Sequence, residues 1–400
     1  MHIEERIQTK IESKYDVAVC GGGFAGISAA LASARQGRKT VLFERQFMLG
    51  GLATAGLVTI YLPLCDGMGH QVSFGIAEEL FRLSISHGAE ARYPENWLDG
   101  VGTRTEKDKR FEVQYNAQLF AILAEKLLLD AGVDILYGTY AVAAPTENGR
   151  ITHIVVEGKS GRRAYEVSSV VDATGDCDIA HLAGAKTKTF EQGNVLAAWY
   201  YSVGAEGYKL NMLGYCDVPD EEKREGHVTK TLVNRRFSGL DTAEISEQTI
   251  LSHVSTFNDV MKKRQTDPTV MPVTIATTPQ VRMTRRIVGE CELSTSEDHK
   301  FFADSIGMVS NWKKRGPIFE VPFGTLYNRE VRNLLAAGRC TSVTDGMWDI
   351  MRVIPCCAVT GQAAGIAAAL TDDIPSLDVA LLQRKLTENG VVLHVGDIKM

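Results

Sequence analysis

The chain has 400 residues, 44% of them hydrophobic and 23% charged, with a formal net charge of −6. This is the composition of an ordinary globular protein with ample material for a core, and the length suggests two domains. The acidic balance argues against nucleic acid or an anionic membrane as the main partner, because phosphate binding leans on Lys and Arg.

The opening stretch "MHIEERIQTKIESKYD" alternates charge with single apolar residues and lacks the apolar core of a signal peptide. No run approaches the roughly 20 apolar residues of a membrane span. Eight cysteines are scattered without a CxxC pair or metal-ligand spacing, so reduced thiols in a cytoplasmic protein are expected.

From Tyr15, "YDVAVC" predicts a buried strand that ends in glycines. "FAGISAALASARQG" predicts a helix stopped at Gly37, and "KTVLFER" a second buried strand, giving a β-α-β unit with a right-handed crossover. Gly21, Gly23 and Gly26 form G-x-G-x-x-G at the strand-to-helix turn. The first permits the turn, the second lets the backbone approach a pyrophosphate, and the third lets helix pack on strand. The helix N-terminus offers free N–H groups to phosphates. Glu44 closes the second strand, about 20 residues on, where an acid binds a ribose hydroxyl and disfavours a 2′-phosphate. The pattern therefore predicts a dinucleotide other than NADP.

Gly50 and Gly51, in "RQFMLGGLATAG", suit a second backbone approach to an elongated ligand. "AQLFAILAEKLLLDAG" predicts a helix with Asn116 as its cap. The stretch from Thr139 to Gly175 is split by the turn signals "ENG" and "KSG", which predicts an antiparallel meander. It ends in "DATGDCDIA", with Gly175 and Asp176 at a strand end. After Gly184 the pattern loosens into aromatic and charged residues. It tightens again at "VRNLLAAGRC", a strand running to Gly338, and at the small-residue helix "VIPCCAVTGQAAGIAAAL". The organisation expected is a nucleotide domain in two parts, residues 1–185 and 326–400, interrupted by a domain over 186–325. Three strand-end glycines suit a ligand longer than NAD, lying across the carboxyl edge of a sheet.

Taken in order, "CGGGFAG", "GGLATAG", "DATGDCD", "MTRRIVGECEL", "NLLAAGRC" and "MRVIPCCAVTGQAAG" resemble the FAD-dependent oxidoreductase family, over essentially the whole chain. The family is more distantly similar to the flavoprotein subunits of fumarate reductase and succinate dehydrogenase. The resemblance implies an α/β fold: a Rossmann-like FAD-binding domain, with a parallel sheet plus a β-meander, and an inserted α+β substrate domain. It implies FAD, with Gly21, Gly23 and Gly26 on the pyrophosphate and Glu44 on the adenosine ribose. Gly50, Gly51, Leu52, Ala53 and Thr54 would lie beside the pyrophosphate and flavin. Gly175 and Asp176 would lie near the adenosine, and Gly338 and Arg339 by the ribityl chain. Pro355, Cys356 and Cys357 open a helix whose N–H groups would face the pyrimidine edge of the flavin, where the reduced form carries negative charge. Phe24, Ala25, Arg45, Val142, Ala173 and Thr174 complete the implied contact set.

The flavin does the hydride chemistry, so the protein must orient a substrate and stabilise charge. Arg352 stands just before the last helix, where the fumarate-reductase relatives place an arginine that binds a dicarboxylate. Those relatives carry a histidine a few residues earlier; here the stretch is "TDGMWDIMR", so another anionic or hydroxylated group, or a structural brace, is an equal reading. Arg282, Arg285 and Arg286 read as a strand with Arg285 on the opposite face, available to substrate or flavin or simply solvated and ion-paired. Asp345 could take a substrate proton, with an Asp-Gly turn as the plainer account. His70, in a glycine-rich loop, is the histidine placed for general-base work, against an ordinary surface or core role. Trp199, Tyr200 and Tyr201 offer a stacking wall or core packing. The function expected is hydride transfer between FAD and a small organic substrate held between the two domains. A flavoprotein without net redox, such as an isomerase, and an electron-transfer subunit serving a protein partner stand beside it.

Overall fold

The computed structural model describes residues 4, 6–89, 112–215 and 217–398, so Cys216 lies outside the described residues. Strand β1 (Lys10–Cys20) leads into α1 (Phe24–Arg35) and β2 (Thr40–Glu44). Helices α2 (Ile76–Ile85) and α3 (Ala117–Asp130) follow, the latter capped by the Asn116 side chain, which accepts from Leu119 N. Then come β3 (Asp134–Tyr137), β4 (Tyr140–Ala143), β5 (His153–Gly158) and β6 (Gly161–Asp172). These strands form one sheet in the order β3-β2-β1-β6-β5-β4.

The parallel part, β3-β2-β1-β6, reads as near-continuous apolar runs because both faces are covered. Val17, Ala18 and Val19 are fully buried. The long strand β6 has two partners on one edge. Residues 161–166 pair antiparallel with β5, and Val170 to Asp172 pair parallel with a late strand, Leu334–Ala336. One strand thus carries the meander at one end and the parallel sheet at the other. Strand β1 begins at Lys10, five residues before the apolar run that announces it. Its outer half is solvent-facing and polar, and is held by backbone pairing with β6 and by Glu12–Arg163 (2.8 Å) and Lys14–Glu166 (2.7 Å) ion pairs.

After the short helix α4 (Asp178–Leu182) and strand β7 (Thr187–Thr189), the chain builds a second sheet. Strands β8 (Ala198–Gly204) and β9 (Gly207–Leu213) form a hairpin, α5 (Thr242–Lys263) crosses it, and β10 (Met271–Ile275) completes the order β9-β8-β10. The helix is fastened by Tyr200 donating to Asp259 (2.6 Å) and by Lys263 donating to Asn211 Oδ1 on β9 (2.5 Å). The expected strand through Arg282, Arg285 and Arg286 is shorter than the sequence suggests: β11 spans only Arg285–Ile287 and pairs with β7. Arg282 precedes it, and Arg286 is buried rather than solvated, paired with Glu292 (2.8 Å) and lying over the Trp348 ring.

A hairpin of β12 (Ser305–Ser310) and β13 (Ile318–Pro322) precedes β14 (Leu334–Ala336). Helix α6 (Asp345–Met351) and helix α7 (Ile354–Leu370) follow, then α8 (Val379–Glu388). Asp345 is thus the first residue of a helix capped by Thr344, not part of a free Asp-Gly turn. All of α7 but its last residue is buried, and its small side chains let it lie directly on α1. A Cβ on Gly361 would sit 2.2 Å from Ala25 O, and one on Gly365 2.2 Å from Ala29 O. Among the described residues no single helix is long and apolar enough to cross a membrane.

Gly365→Ala therefore forces α7 off α1 and is expected to destabilise the protein by about 1–3 kcal/mol, the usual cost of overpacking. Urea denaturation checks this, and an unchanged midpoint contradicts the close contact.

Candidate functional site

The turn after β1 is built by glycines with different duties. Gly21 has φ +102°, and a Cβ there would lie 2.4 Å from Ala173 O; one on Gly26 would lie 1.8 Å from Gly21 O. Both are demanded by packing of the turn on β6 and of α1 on the turn. Gly23 differs, since a Cβ there meets nothing within 4 Å. Its Cβ direction opens into a cavity of about 660 Å³, which Gly23 itself lines. Gly50 folds back onto this turn, its N–H donating to Gly22 O (2.8 Å), and Gly51 lies against Gly23.

Two helix N-termini reach the same cavity. Helix α1 starts at Gly23 and α7 at Val353, and neither receives a side-chain cap. Elsewhere the first turns are satisfied by side chains: Asn116 for α3, Asp241 for α5, Thr344 for α6, Asp378 for α8 and Gln362 for α2. Leaving the N–H groups of α1 and α7 to whatever fills the cavity gives it two positive dipole ends.

Of the residues singled out from the sequence, the cavity brings together Gly21, Gly23, Phe24, Ala25, Glu44, Arg45, Gly50, Gly51, Leu52 and Ala53 along one wall. Ala173, Thr174, Gly175, Asp176, Gly338, Arg339, Arg352 and Cys357 complete it from the other strand ends and α7. Gly26 lies behind the turn. Thr54 is buried and donates to Leu49 O (2.6 Å), and Pro355 and Cys356 lie inside α7. Val142 is not in the wall, whereas its neighbours Tyr140 and Ala141 are.

Three of the four residues proposed for chemistry also lie outside the wall. His70 Nδ1 is 2.8 Å from Asp66 Oδ2. Arg285 donates to Asp178 (2.7 Å) and to Asp176 O (3.1 Å). Asp345 is 3.5 Å from the Arg286 guanidinium. Arg352 does face the cavity, with its Nε donating to Asp349 Oδ1 (2.9 Å). Asp349 is fully buried and also pairs with Lys313. Burial opposes its ionisation, yet Arg352 and Lys313 hold its carboxyl below the usual range.

Sequence reasoning missed Trp312 and Lys313, in "SNWKKRG" between β12 and β13, which line the cavity beside Arg352. Lys313 Nζ and the Arg352 guanidinium lie 5.3 and 5.6 Å from the Trp312 ring centroid. An aromatic followed by two lysines inside a strand–turn–strand was the available signal. The second sheet contributes Trp199 and Met212, the stretch after β9 contributes Tyr215, α5 contributes Ile245, and the approach to β11 contributes Arg282, which lies over the Trp199 ring (5.1 Å).

The ionisable groups on the turn side are largely occupied. Glu44 accepts from Gly22 N (2.6 Å) and Gln46 N (2.8 Å), and burial pushes its pKa up. Burial likewise pushes the Cys357 thiol up to about 12, which makes it a neutral group rather than a nucleophile. Asp172, Cys177 and Cys340 bring three potential metal ligands within 4.8 Å of one another. The Asp172 oxygens are already taken by Thr174 and by Ala180 N, so this trio braces the strand ends.

Asp178 lines the cavity, and its pKa is pushed up to about 6 by burial and by the nearby Asp176 and Asp172 charges. A carboxyl raised in the folded state binds more protons there than in the unfolded chain, where it titrates near about 4. Asp178 therefore lowers the stability of the cofactor-free protein as pH rises from about 4 to about 6. Asp178→Asn is expected to flatten that slope in urea denaturation across this window, and an unaltered slope contradicts the assignment.

The chain matches the family described as FAD dependent oxidoreductase over residues 16–197 and 191–386. It is 32% identical over 127 residues to the tRNA uridine 5-carboxymethylaminomethyl modification enzyme MnmG 1 of Fusobacterium nucleatum subsp. nucleatum, a match spanning 29% of this chain and 20% of that protein. Among solved structures it is similar to p-nitrophenol 4-monooxygenase PnpA from Pseudomonas putida DLL-E4. That likeness has a TM-score of 0.50 at 10% identity, covers 95% of this chain and 85% of that one, and speaks to the fold alone. It is also similar to the 3-ketosteroid-delta4-(5alpha)-dehydrogenase from Rhodococcus jostii RHA1, with a TM-score of 0.41, 15% identity and coverage of 90% and 98%. The glycine turn, the two open helix ends and a family match over most of the sequence converge: the chain belongs to the FAD dependent oxidoreductase family and is an enzyme whose cofactor is FAD.

Proposed function

We propose that FAD occupies the cavity along the strand ends and exchanges a hydride with a small organic substrate, held between the flavin-binding part and the inserted segment 186–325. The observation that carries this reading is continuity: one cavity joins the Gly23 turn and the α7 N-terminus to walls supplied by Trp199, Met212, Tyr215 and Ile245. Its volume of about 660 Å³ is in the range of elongated cofactor and ligand sites.

The residues fit the group. Gly23 offers the space that a side chain would fill, and the open N–H groups of α1 suit a pyrophosphate. Glu44, on the same wall, is the acid for a ribose hydroxyl. The flavin, when bound, supplies hydride acceptance and donation. The α7 N-terminus stabilises negative charge at its pyrimidine edge. Lys313 and Arg352, set around Trp312 and fixed by Asp349, orient the substrate and keep cationic heads at the wall. The aromatic and aliphatic side chains of the inserted segment exclude water from the reacting face. His70 and Asp345 take structural parts in this reading, because each already has a partner outside the cavity wall, and Arg285 braces the wall through Asp178 and Asp176 O. The free thiols of all seven described cysteines support the cytoplasm as the compartment.

Anaerobic addition of organic reductants in pools to the FAD-loaded protein tests the redox reading. One pool is expected to bleach the flavin absorbance. Turnover with no net change in the flavin spectrum points instead to a non-redox enzyme, and reduction only by a protein donor points to an electron-transfer subunit; either result overturns the proposal. Gly23→Val separates the cofactor site from the fold. The variant is expected to fold with near-normal stability and to bind FAD at least about 100-fold more weakly, roughly 2.7 kcal/mol. Retention of wild-type FAD affinity contradicts the placement.

A further inference from the structure

Charge is not evenly spread along the cavity wall. Among the described residues the carboxylates that line it are Glu44, Asp176 and Asp178, all on the turn side. Around Trp312 the wall carries Lys313 and Arg352, both cationic. Asp349, the anion that serves them, is fully buried behind the wall rather than part of it. The loop is pinned by the same neighbour: Trp312 Nε1 donates to Asp349 O (2.8 Å), while the backbone N–H groups of Lys313 and Lys314 donate to Asn311 Oδ1 (2.8 and 2.9 Å). Burying a carboxylate beside two cations adds little stability over apolar side chains of the same volume, so its use here lies in holding the cationic heads at fixed points of the wall.

We infer, on the substrate placement proposed above, that the substrate is an organic acid whose carboxylate is held by Lys313 and Arg352 and whose remaining body is apolar. An ammonium has three N–H donors, and Asp349, the partner that fixes Lys313, does not line the cavity. A carboxylate entering from the cavity accepts charge-assisted hydrogen bonds from heads that are already immobile, so little ordering cost remains to be met. A neutral amide of the same shape forgoes those bonds, and a cation meets like charge. The body follows from the rest of the substrate side, where Trp199, Met212 and Ile245 present apolar surface and give a hydroxyl-rich molecule few partners. Arg282, on that side, donates to Gln280 Oε1 (2.8 Å) and lies over the Trp199 ring.

Isothermal titration calorimetry of the FAD-loaded protein tests this with benzoate, trans-cinnamate and octanoate, each against its own amide, and with succinate. At least one of the three apolar acids is expected to bind, its amide being weaker by about tenfold or more, the loss of a charge-assisted contact. Succinate, an acid without an apolar body, is expected to be weaker by a similar factor. Lys313→Met is expected to remove the preference for acid over amide while FAD content and the flavin spectrum stay as in wild type. Amides that bind as tightly as their acids, a set of acids of which none binds, or succinate binding more tightly than all three overturns the inference, and none of these comparisons needs the variant to fold. A variant that keeps the preference but loses FAD or shifts its spectrum assigns the cations to the cofactor and overturns it as well. Selective acid binding to a protein whose flavin no organic reductant bleaches defeats the hydride reading and leaves this one standing; bleaching by a molecule without an anionic group does the reverse.

Discussion

The contact between α1 and α7 is the constraint on which the remaining structure depends. Gly361 and Gly365 admit the backbone oxygens of Ala25 and Ala29 to distances no side chain would allow. Two helices brought this close, on one face of the sheet, deliver their N-termini to the same cavity. The turn at Gly21 and Gly26 repeats the device at the strand end, where α1 must start almost on top of β1 and β6. Small residues at these points do not stabilise by burying area. They permit an approach, and the approach sets where the positive helix ends lie.

Around that frame the charges divide. On the turn side, Glu44, Asp176 and Asp178 are tied to backbone amides, to Thr284 or to arginines, so the wall is rigid and polar. Around Trp312, one buried carboxylate, Asp349, serves both Lys313 and Arg352 and thereby fixes two cationic heads with a single anion. Such a group is costly to bury unpaired and well supported when paired twice. It accounts for an aspartate standing where an apolar residue would pack more simply.

Much of the cavity wall beside the Gly23 turn was legible in the sequence because its signals are local. A glycine pattern between two apolar runs states a turn, and "NLLAAGRC" and "DATGD" state strand ends, whatever the rest of the chain does. The outer half of β1 was not legible: Lys10 to Lys14 is polar and solvent-facing, and only its partner β6 makes it a strand. The roles offered for His70, Arg285 and Asp345 rested on residue type, and residue type does not reveal the partner. Asp66, Asp178 and Arg286 respectively occupy them, and of these only Asp66 lies within a few residues. Trp312 and Lys313 were invisible for the converse reason, since a hairpin loop acquires its position only when β12, paired with β13, packs against α7. Val142 lies one residue beyond Ala141, the last residue of β4 in the wall.

The account turns on where the cofactor lies, and a crystal structure of the FAD-loaded protein measures that directly. The account predicts the pyrophosphate beside Gly23 at the start of α1, with the flavin's pyrimidine edge at the start of α7. FAD bound elsewhere, or bound with its phosphates away from Gly23, would contradict it.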